Sequence, residues 1–191
     1  FNITGSFNTA VGSRALFANE TGSRNVGIGR HSLQSGTDVT DCIAIGHDAL
    51  SSLVHGSGII AIGSGALQNA NNILTGISKT IGIGKNVLMN NFGPENIALG
   101  DEALKANITG GFNTSVGNSS LTRNVSGELN TALGNASLND NSSGSKNTAI
   151  GAAALSENTG GDNNTAVGNR SLFFNTSGSN NTAIGAEASP A

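Results

Sequence analysis

A glycine recurs through this chain at an almost constant interval. Successive positions are 17 residues apart, except for one step of 21 and one step of 16. The recurring glycines are Gly12, Gly29, Gly46, Gly63, Gly84, Gly100, Gly117, Gly134, Gly151, Gly168 and Gly185. A period this short indicates one structural unit copied eleven times, in which each copy buries its apolar side only against its neighbours. The sequence therefore predicts a rod, and rods usually present their sides to partners.

Aligning the repeats on this glycine shows which positions accept few residue types. The residue two before the glycine is always small, and the residue four after it is Leu in every copy except the last, which has Ser189. The residue just before the glycine is always aliphatic. This aliphatic row is Val11, Ile28, Ile45, Ile62, Ile83, Leu99, Val116, Leu133, Ile150, Val167 and Ile184. The residue four before the glycine is most often Asn. This first asparagine ladder is Asn8, Asn25, Asn96, Asn113, Asn130, Asn147, Asn164 and Asn181.

The segment that ends at each glycine predicts a short β-strand. In Asn147-Thr148-Ala149-Ile150-Gly151 the β-branched residues favour a strand, and Asn, Ser and Gly between such segments favour turns. A helix-pair repeat would need about 30 or more residues. We therefore predict an all-β fold, a parallel β-solenoid (β-roll) of about eleven 17-residue coils with two short strands per coil. Residues 1–191 form a single repeat domain, with irregular coils over 36–95 and more regular coils over 96–191.

Stacked coils fix the dimensions of the rod and the expected role of its asparagines. Parallel strands lie about 4.8 Å apart, so eleven coils give a length of about 50 Å. The first asparagine ladder is expected to stack along the rod and to hydrogen-bond the backbone at the corners, which a narrow coil cannot pair by itself.

Both faces of the recurring strand are apolar. Because side chains alternate along a strand, the small residues and the aliphatic row point in opposite directions. A thin two-layer roll encloses only one of them, most naturally the small one. The aliphatic row then forms an apolar stripe along the rod, and we expect identical chains to pack along it, as a homotrimer. The competing possibility is a wider coil that encloses both rows.

Composition excludes several classes of partner. The chain of 191 residues has a net charge of −3 and only 11% charged residues, so it offers no electrostatic basis for binding nucleic acid or an anionic membrane. No apolar run approaches the ~18 residues of a membrane span, and we expect no membrane insertion. Cys42 is the only cysteine, so the fold has no internal disulfide, and we interpret Cys42 as a small buried apolar residue.

The repeat resembles a known family. The pattern Asn-Thr-Ala-Val/Ile-Gly, then Ala/Ser-Leu, then Asn-x-Ser/Thr-Gly is similar to the head repeats of trimeric autotransporter adhesins, which form a YadA-like left-handed parallel β-roll, and to repeats of bacteriophage tail fibres. The resemblance covers nearly the whole chain and is clearest over 96–185. It implies a homotrimeric, non-enzymatic attachment fibre that is extracellular, on a cell surface or on a virion, with a host surface receptor or glycan as its target. The chain departs from the pattern where Cys42, Ile59 and Thr80 replace the ladder Asn, and where Ile73-Leu74-Thr75-Gly76 indicates a longer loop.

No catalytic pattern is visible. His31, His47 and His55 are interpreted as surface side chains, and the acidic residues share no repeated position that would pair carboxylates for catalysis. The Gly-x-Gly pairs at Gly27-Ile28-Gly29 and Gly82-Ile83-Gly84 are repeats with Gly at the small position, not phosphate loops. We expect no enzyme activity, no catalytic residues, no cofactor and no metal.

A few residues are candidates for glycan contact or modification. The aromatic candidates for stacking on a sugar are Phe7, Phe17, Phe92, Phe112, Phe173 and Phe174, although packing at a coil corner is favoured. Twelve Asn-x-Ser/Thr triplets occur, among them those at Asn19, Asn107, Asn124, Asn141 and Asn175. We interpret them mainly as a result of repetition in a chain rich in these residues.

Two alternative functions compete with attachment. The first is a structural filament in which subunits stack head-to-tail, since uncapped solenoid ends expose strand edges that can pair. The second is ice binding, because a threonine recurs three positions before the glycine. Its members are Thr9, Thr114, Thr131, Thr148, Thr165 and Thr182. Five consecutive repeats carry aliphatic residues at that position, which favours a buried seam over an ice-facing plane. They are Val26, Ile43, Ile60, Ile81 and Ile97.

Overall fold

The chain is an all-β solenoid built from very short strands. The computed structural model describes residues 2–70 and 77–189, and in these residues there is no helix. The predicted loop at Ile73-Leu74-Thr75-Gly76 lies outside the described residues. The strands are β1 (Thr9–Val11), β2 (Val26–Ile28), β3 (Asp38–Thr40), β4 (Ile43–Ile45), β5 (His55–Ser57), β6 (Ile60–Ile62), β7 (Ile77–Ser78), β8 (Ile81–Ile83), β9 (Ile97–Leu99), β10 (Thr114–Val116), β11 (Thr131–Leu133), β12 (Thr148–Ile150), β13 (Thr165–Val167) and β14 (Thr182–Ile184).

One parallel sheet runs the length of the molecule. It has eleven strands in the order β1-β2-β4-β6-β8-β9-β10-β11-β12-β13-β14. Equivalent residues of successive repeats pair directly, as Thr114 does with Thr131. The irregular steps keep this register, because Ile60 pairs with Ile81 and Ile81 pairs with Ile97. The predicted parallel β-solenoid is therefore confirmed.

The interior is a narrow column of leucine and small residues. The Leu four positions after each repeat glycine is between 0 and 9% exposed in all ten copies that have it. Each of these leucines has a φ between 48° and 51°, which costs a side-chain-bearing residue about 1–2 kcal/mol. Burying a leucine side chain contributes about 1.5–3 kcal/mol, which offsets that strain.

The repeat glycine cannot be replaced without strain. Gly117 has a φ of 135°, and a Cβ at this position would lie 2.4 Å from the carbonyl oxygen of Gly134 in the next coil. Successive coils approach this closely along the whole corner. The constant glycine therefore follows from both its backbone conformation and the spacing between coils.

The first asparagine ladder satisfies the backbone at one corner. Asn96 Oδ1 accepts a hydrogen bond from the backbone N–H of Asn113 at 3.0 Å, and Asn96 Nδ2 donates to the carbonyl of Gly110 at 2.9 Å. Asn113 repeats both contacts one coil further on, to the backbone N–H of Asn130 and to the carbonyl of Gly127. The side chains of this ladder are buried, apart from the partly buried Asn8 and Asn181 near its two ends.

A second asparagine ladder, which was not predicted from the sequence, lies seven residues after the repeat glycine. Its members are Asn2, Asn19, Asn91, Asn107, Asn124, Asn141, Asn158 and Asn175. Where two members lie in neighbouring coils, the amide of the later one donates to the side-chain oxygen of the earlier one, as Asn124 Nδ2 does to Asn107 Oδ1 at 2.7 Å and Asn141 Nδ2 to Asn124 Oδ1 at 2.8 Å. These three side chains are fully buried, so their Asn-x-Ser/Thr triplets cannot accept a glycan in the folded chain.

Within the described residues, a second strand is present in three coils and not in every coil as predicted. Strands β3, β5 and β7 form a separate parallel sheet in that order. In these coils both ladders are interrupted, and apolar side chains fill the corner instead. Leu53, Ile59 and Ile77 are at most 1% exposed. The first of these strands still receives a ladder amide, since Asn25 Nδ2 donates to the carbonyl of Val39 in β3 at 2.7 Å, while the next three coils have no asparagine at this ladder position. The backbone N–H and C=O groups of β3, β5 and β7 also pair from coil to coil as strands.

Candidate interaction face

The aliphatic row lies on the outside of the main sheet. Its residues are exposed or half-buried, and the exposed fraction reaches 56% at Val11 and 73% at Ile184. The small residues two before each glycine face inward, and Ala132 and Ala149 are fully buried. The alternation of side chains along each strand therefore places the aliphatic row outside the coil, and the wider coil that would enclose both rows is not what forms.

A second row of side chains shares this surface. The residues three before each glycine are separated from the aliphatic row by one inward-facing position, so both rows point outward. We call this surface, made of the residues one and three before each repeat glycine, the outer face. Val26, Ile43, Ile60 and Ile81 are half-buried on it and Ile97 is 39% exposed, so the single chain itself does not enclose these five residues.

The outer face changes character along the rod. Strands β2, β4, β6, β8 and β9 present two aliphatic residues each, whereas β10 to β14 present one threonine and one aliphatic residue each. No residue of the outer face is charged. Burying this surface against a partner would therefore desolvate no ionised group, which is the composition typical of the centre of an interface.

Ion pairs line one edge of the more aliphatic half. Arg24 Nε lies 2.5 Å from Asp41 Oδ1, and Lys79 Nζ lies 3.7 Å from Glu95 Oε1, each pair joining neighbouring coils. The hydrogen bond from Arg24 lowers the pKa of the Asp41 carboxyl below its usual value and raises the pKa of the guanidinium. These side chains are well exposed, and such pairs contribute little to stability. They give the apolar surface a polar rim.

The aromatic candidates are scattered, with one local cluster. Phe173 and Phe174 meet edge-to-face with ring centroids 4.8 Å apart, and the Arg170 guanidinium lies 4.4 Å from the centre of the Phe173 ring. Together with Glu187 and Ser189 they line an open cavity of about 290 Å³. Phe174 is 72% exposed, so it is available for stacking on a ligand. An aromatic ring beside charged hydrogen-bonding groups suits a glycan.

The structure also joins side chains that the sequence analysis considered separately. His31, His47 and Asp48 come together at one corner, where each offers one potential metal-ligating atom and these atoms lie within 4.8 Å of one another. His55 does not join them. In the sequence His31 and Asp48 are 17 residues apart, one full repeat, which is the signal that would have predicted their contact.

Cys42 is fully buried in the apolar corner of the second sheet. Its backbone N–H donates to Asn25 Oδ1 at 3.0 Å, so the main chain still completes the ladder although the side chain does not continue it. Burial raises the pKa of the Cys42 thiol to about 11. The thiol is therefore neutral and unreactive at physiological pH, in keeping with a packing role.

Comparisons with known protein families, with curated proteins and with solved structures found no match. Within residues 2–70 and 77–189 there is also no long apolar helix of the kind that crosses a lipid bilayer.

Proposed function

We propose that this chain is a non-enzymatic, extracellular fibre or adhesion module whose coils associate side by side, as a homotrimer, and present the remaining sides of the rod for attachment. The observation that carries the proposal is the outer face, an uncharged and largely aliphatic strip on the full length of the main sheet. The resemblance of the repeat to adhesin heads and tail fibres supports attachment to a cell or virion surface as the setting.

The dimensions of the outer face suit a partner of the same kind. Eleven strands about 4.8 Å apart give a strip about 50 Å long, and residues two apart on a strand span about 7 Å. With side-chain radii the strip covers on the order of 600 Å² per chain, close to the ~800 Å² per partner of a stable protein interface. A second copy has the same spacing between rows, so its aliphatic side chains can meet this face in register along the whole rod.

Attachment would use a surface that the association leaves open. The cluster of Phe173 and Phe174 with Arg170 and Glu187 is the aromatic site best suited to a glycan, since it combines an exposed ring with charged hydrogen-bonding groups beside a cavity. A host receptor or glycan is thus the second partner in this proposal.

The test compares two equally exposed isoleucines. Ile83 is 40% exposed and lies on the outer face, whereas Ile108 is 42% exposed and lies outside it. In sedimentation velocity or light scattering, wild-type protein is expected to have the mass of a trimer. Ile83→Lys places a charge in the interface and should shift the mass toward that of one chain, while Ile108→Lys should leave it unchanged.

Either of two results would overturn the proposal. Wild-type protein that stays monomeric at concentrations of about 100 μM would exclude an interface of this size, because such interfaces usually give far tighter association. Equal effects of Ile83→Lys and Ile108→Lys would show that association does not use the outer face.

A filament is the second candidate, supported by the ends of the main sheet. Among the described strands β1 pairs only with β2, and β14 pairs only with β13, so a further coil, of this chain or of a second one, would pair along the other edge of either strand. Edges of this kind pair with other chains. Electron microscopy distinguishes the two assemblies. End-to-end stacking gives filaments whose length increases with protein concentration, whereas lateral association gives particles of fixed length.

Ice binding is the third candidate, supported by the outward position of the threonines. Thr131 and Thr182 are exposed, and Thr114, Thr148 and Thr165 are half-buried, at regular spacing on a parallel sheet. Thermal hysteresis of the purified protein would support this function. The absence of thermal hysteresis at millimolar protein concentration would exclude ice binding.

A further inference from the structure

We propose that His31, His47 and Asp48 form a binding site for a divalent transition metal ion such as Zn²⁺. The imidazoles and the carboxylate converge on one another at a coil corner, outside the outer face and away from the aromatic cluster. Among residues 2–70 and 77–189 they are the one group of three histidine, cysteine, aspartate or glutamate side chains whose potential ligand atoms lie this close.

The repeat brings two of the ligands together. His31 and Asp48 occupy the same position of consecutive coils, two residues after the repeat glycine, and both have a φ near 59°. The backbone N–H of His31 donates to the carbonyl of Ser13 at 2.9 Å, and that of Asp48 donates to Arg30 at 3.0 Å. Each ligand is therefore held on a corner that hydrogen bonds tie to the coil before it, and the two side chains stack along the rod.

The distances suit metal coordination. His31 Nδ1 lies 3.0 Å from Asp48 Oδ1, and His47 Nδ1 lies 3.2 Å from Asp48 Oδ2. Bonds of about 2.0–2.2 Å around a tetrahedral zinc ion place neighbouring ligand atoms about 3.3–3.6 Å apart. Small movements about the side-chain torsions are therefore enough to replace these hydrogen bonds with bonds to a metal.

Burial and neighbouring groups also favour a bound cation. His31 and Asp48 are only 20% and 21% exposed, so two ligands are already ordered by packing, while His47 is 51% exposed and its ring has room to turn inward. Gln68 Nε2 lies 3.5 Å from Asp48 Oδ2 and orients the carboxylate from the next coil, the role that outer hydrogen bonds play around metal ligands.

The nearby cations leave the site accessible. Arg14 precedes His31 in the same column, but its guanidinium is directed toward the Phe17 ring, 5.9 Å from the ring centre. Arg30 occupies the repeat position of His47 one coil earlier, and its side chain is exposed to solvent, where a long flexible side chain can turn away from a bound cation.

Two imidazoles and one carboxylate select the class of metal. Imidazole suits zinc, copper, nickel and iron, whereas magnesium and calcium prefer oxygen ligands alone. Three protein ligands leave at least one coordination position for water or for a group from another molecule. A metal here would also join the second and third coils, and would stabilise the folded chain because it binds the folded state preferentially.

The experiment is a calorimetric titration of ZnCl₂ into the full chain, prepared without a histidine tag, in a non-chelating buffer at pH 7.5. One ion per chain is expected. The ligand variants are His31→Asn, His47→Asn and Asp48→Asn, because Asn accepts the left-handed backbone of positions 31 and 48 and already stands at the equivalent Asn86. Each should weaken binding at least about tenfold.

His55→Asn is the matched control, because it removes the histidine that lies outside the group. It should bind zinc as wild type does. Cobalt(II) provides an independent readout, since a tetrahedral site with histidine ligands gives visible absorption that His31→Asn should abolish. Circular dichroism should show that all the variants keep the wild-type fold.

Three results would overturn the site. They are titrations without saturable binding at one ion per chain, zinc affinity reduced equally by His55→Asn and His31→Asn, or ligand variants that are folded and bind as wild type does. The oligomeric state is measured separately, so failure of the metal site leaves the test of lateral association unaffected.

Discussion

Removing one amide from the second asparagine ladder should destabilise the chain far more than removing an exposed one. Asn124 is fully buried between Asn107 and Asn141 in the neighbouring coils. Its Nδ2 also donates to the carbonyl of Gly127 at 3.0 Å. In Asn124→Ala all three contacts are lost at once, and the space is too enclosed for bulk water to replace them.

The magnitude follows from the groups that would be left unpaired. Asn107 Oδ1 would lose its donor, and one N–H of Asn141 would lose its acceptor. The carbonyl of Gly127 would keep the hydrogen bond that it accepts from Asn113 Nδ2 at 2.9 Å, so it would not become an unsatisfied group. Each buried unsatisfied group costs about 1–3 kcal/mol, which predicts a loss of about 2–6 kcal/mol in the free energy of unfolding.

The assay is urea unfolding followed by far-ultraviolet circular dichroism, because a chain without tryptophan or tyrosine gives little intrinsic fluorescence. The control is Asn135→Ala, which removes an exposed amide with a single hydrogen bond of 3.3 Å to the carbonyl of Asn118. That change should cost about 0.5 kcal/mol or less. If Asn124→Ala and Asn135→Ala had equal effects, the ladder would not be the stabilising element that its geometry indicates.

Three further predictions concern the corner, the core and the buried thiol. Gly117→Ala should lower the free energy of unfolding by more than about 3 kcal/mol, because the backbone strain alone costs about 1–3 kcal/mol and the added Cβ also clashes with Gly134. An unchanged urea unfolding curve would contradict this prediction. Leu155→Ala should cost about 2–5 kcal/mol in the same assay, since Leu155 is fully buried; a cost below 1 kcal/mol would indicate a core that collapses around the gap. The raised pKa of Cys42, about 11 against an ordinary 9.0, means that the folded chain keeps a proton which the unfolded chain loses. Stability should therefore fall by up to about 3 kcal/mol as pH rises from about 9 to about 11, and Cys42→Ala should remove this component of the pH dependence.

The outer face shows which structural properties the repeat pattern predicts and which it does not. Its positions follow from the alternation of side chains, so the direction of Ile83 was predictable from its place beside the repeat glycine. The half-exposed state of Ile81 was not predictable from the sequence. Whether an apolar row is enclosed depends on the width of the coil, and that width is set by how the corners fold.

The two asparagine ladders likewise show that the sequence predicts a recurring position but not the burial of its side chain. Both recur at a constant offset from the glycine, yet only the first was predicted as a ladder, and members of the second, such as Asn124, were noted only in Asn-x-Ser/Thr triplets that we attributed mainly to repetition. Sequence gives the recurrence of an asparagine but not its burial. The prediction of a second strand in every coil was wrong for a related reason, because the residue types at that corner do not show which coils pair their backbones there.

The sequence by itself determined the period, the direction of each strand residue and the stacking of equivalent positions, because all three follow from local backbone geometry and a fixed repeat length. Tertiary structure decided how close equivalent side chains come to one another and which non-equivalent side chains meet. The contact of His31 with Asp48 depends on a register held by many backbone hydrogen bonds, and that of His47 depends on the path of the corner. A repeat pattern specifies neighbours one coil apart, but only the folded corner fixes the distances that allow three of them to hold one ion.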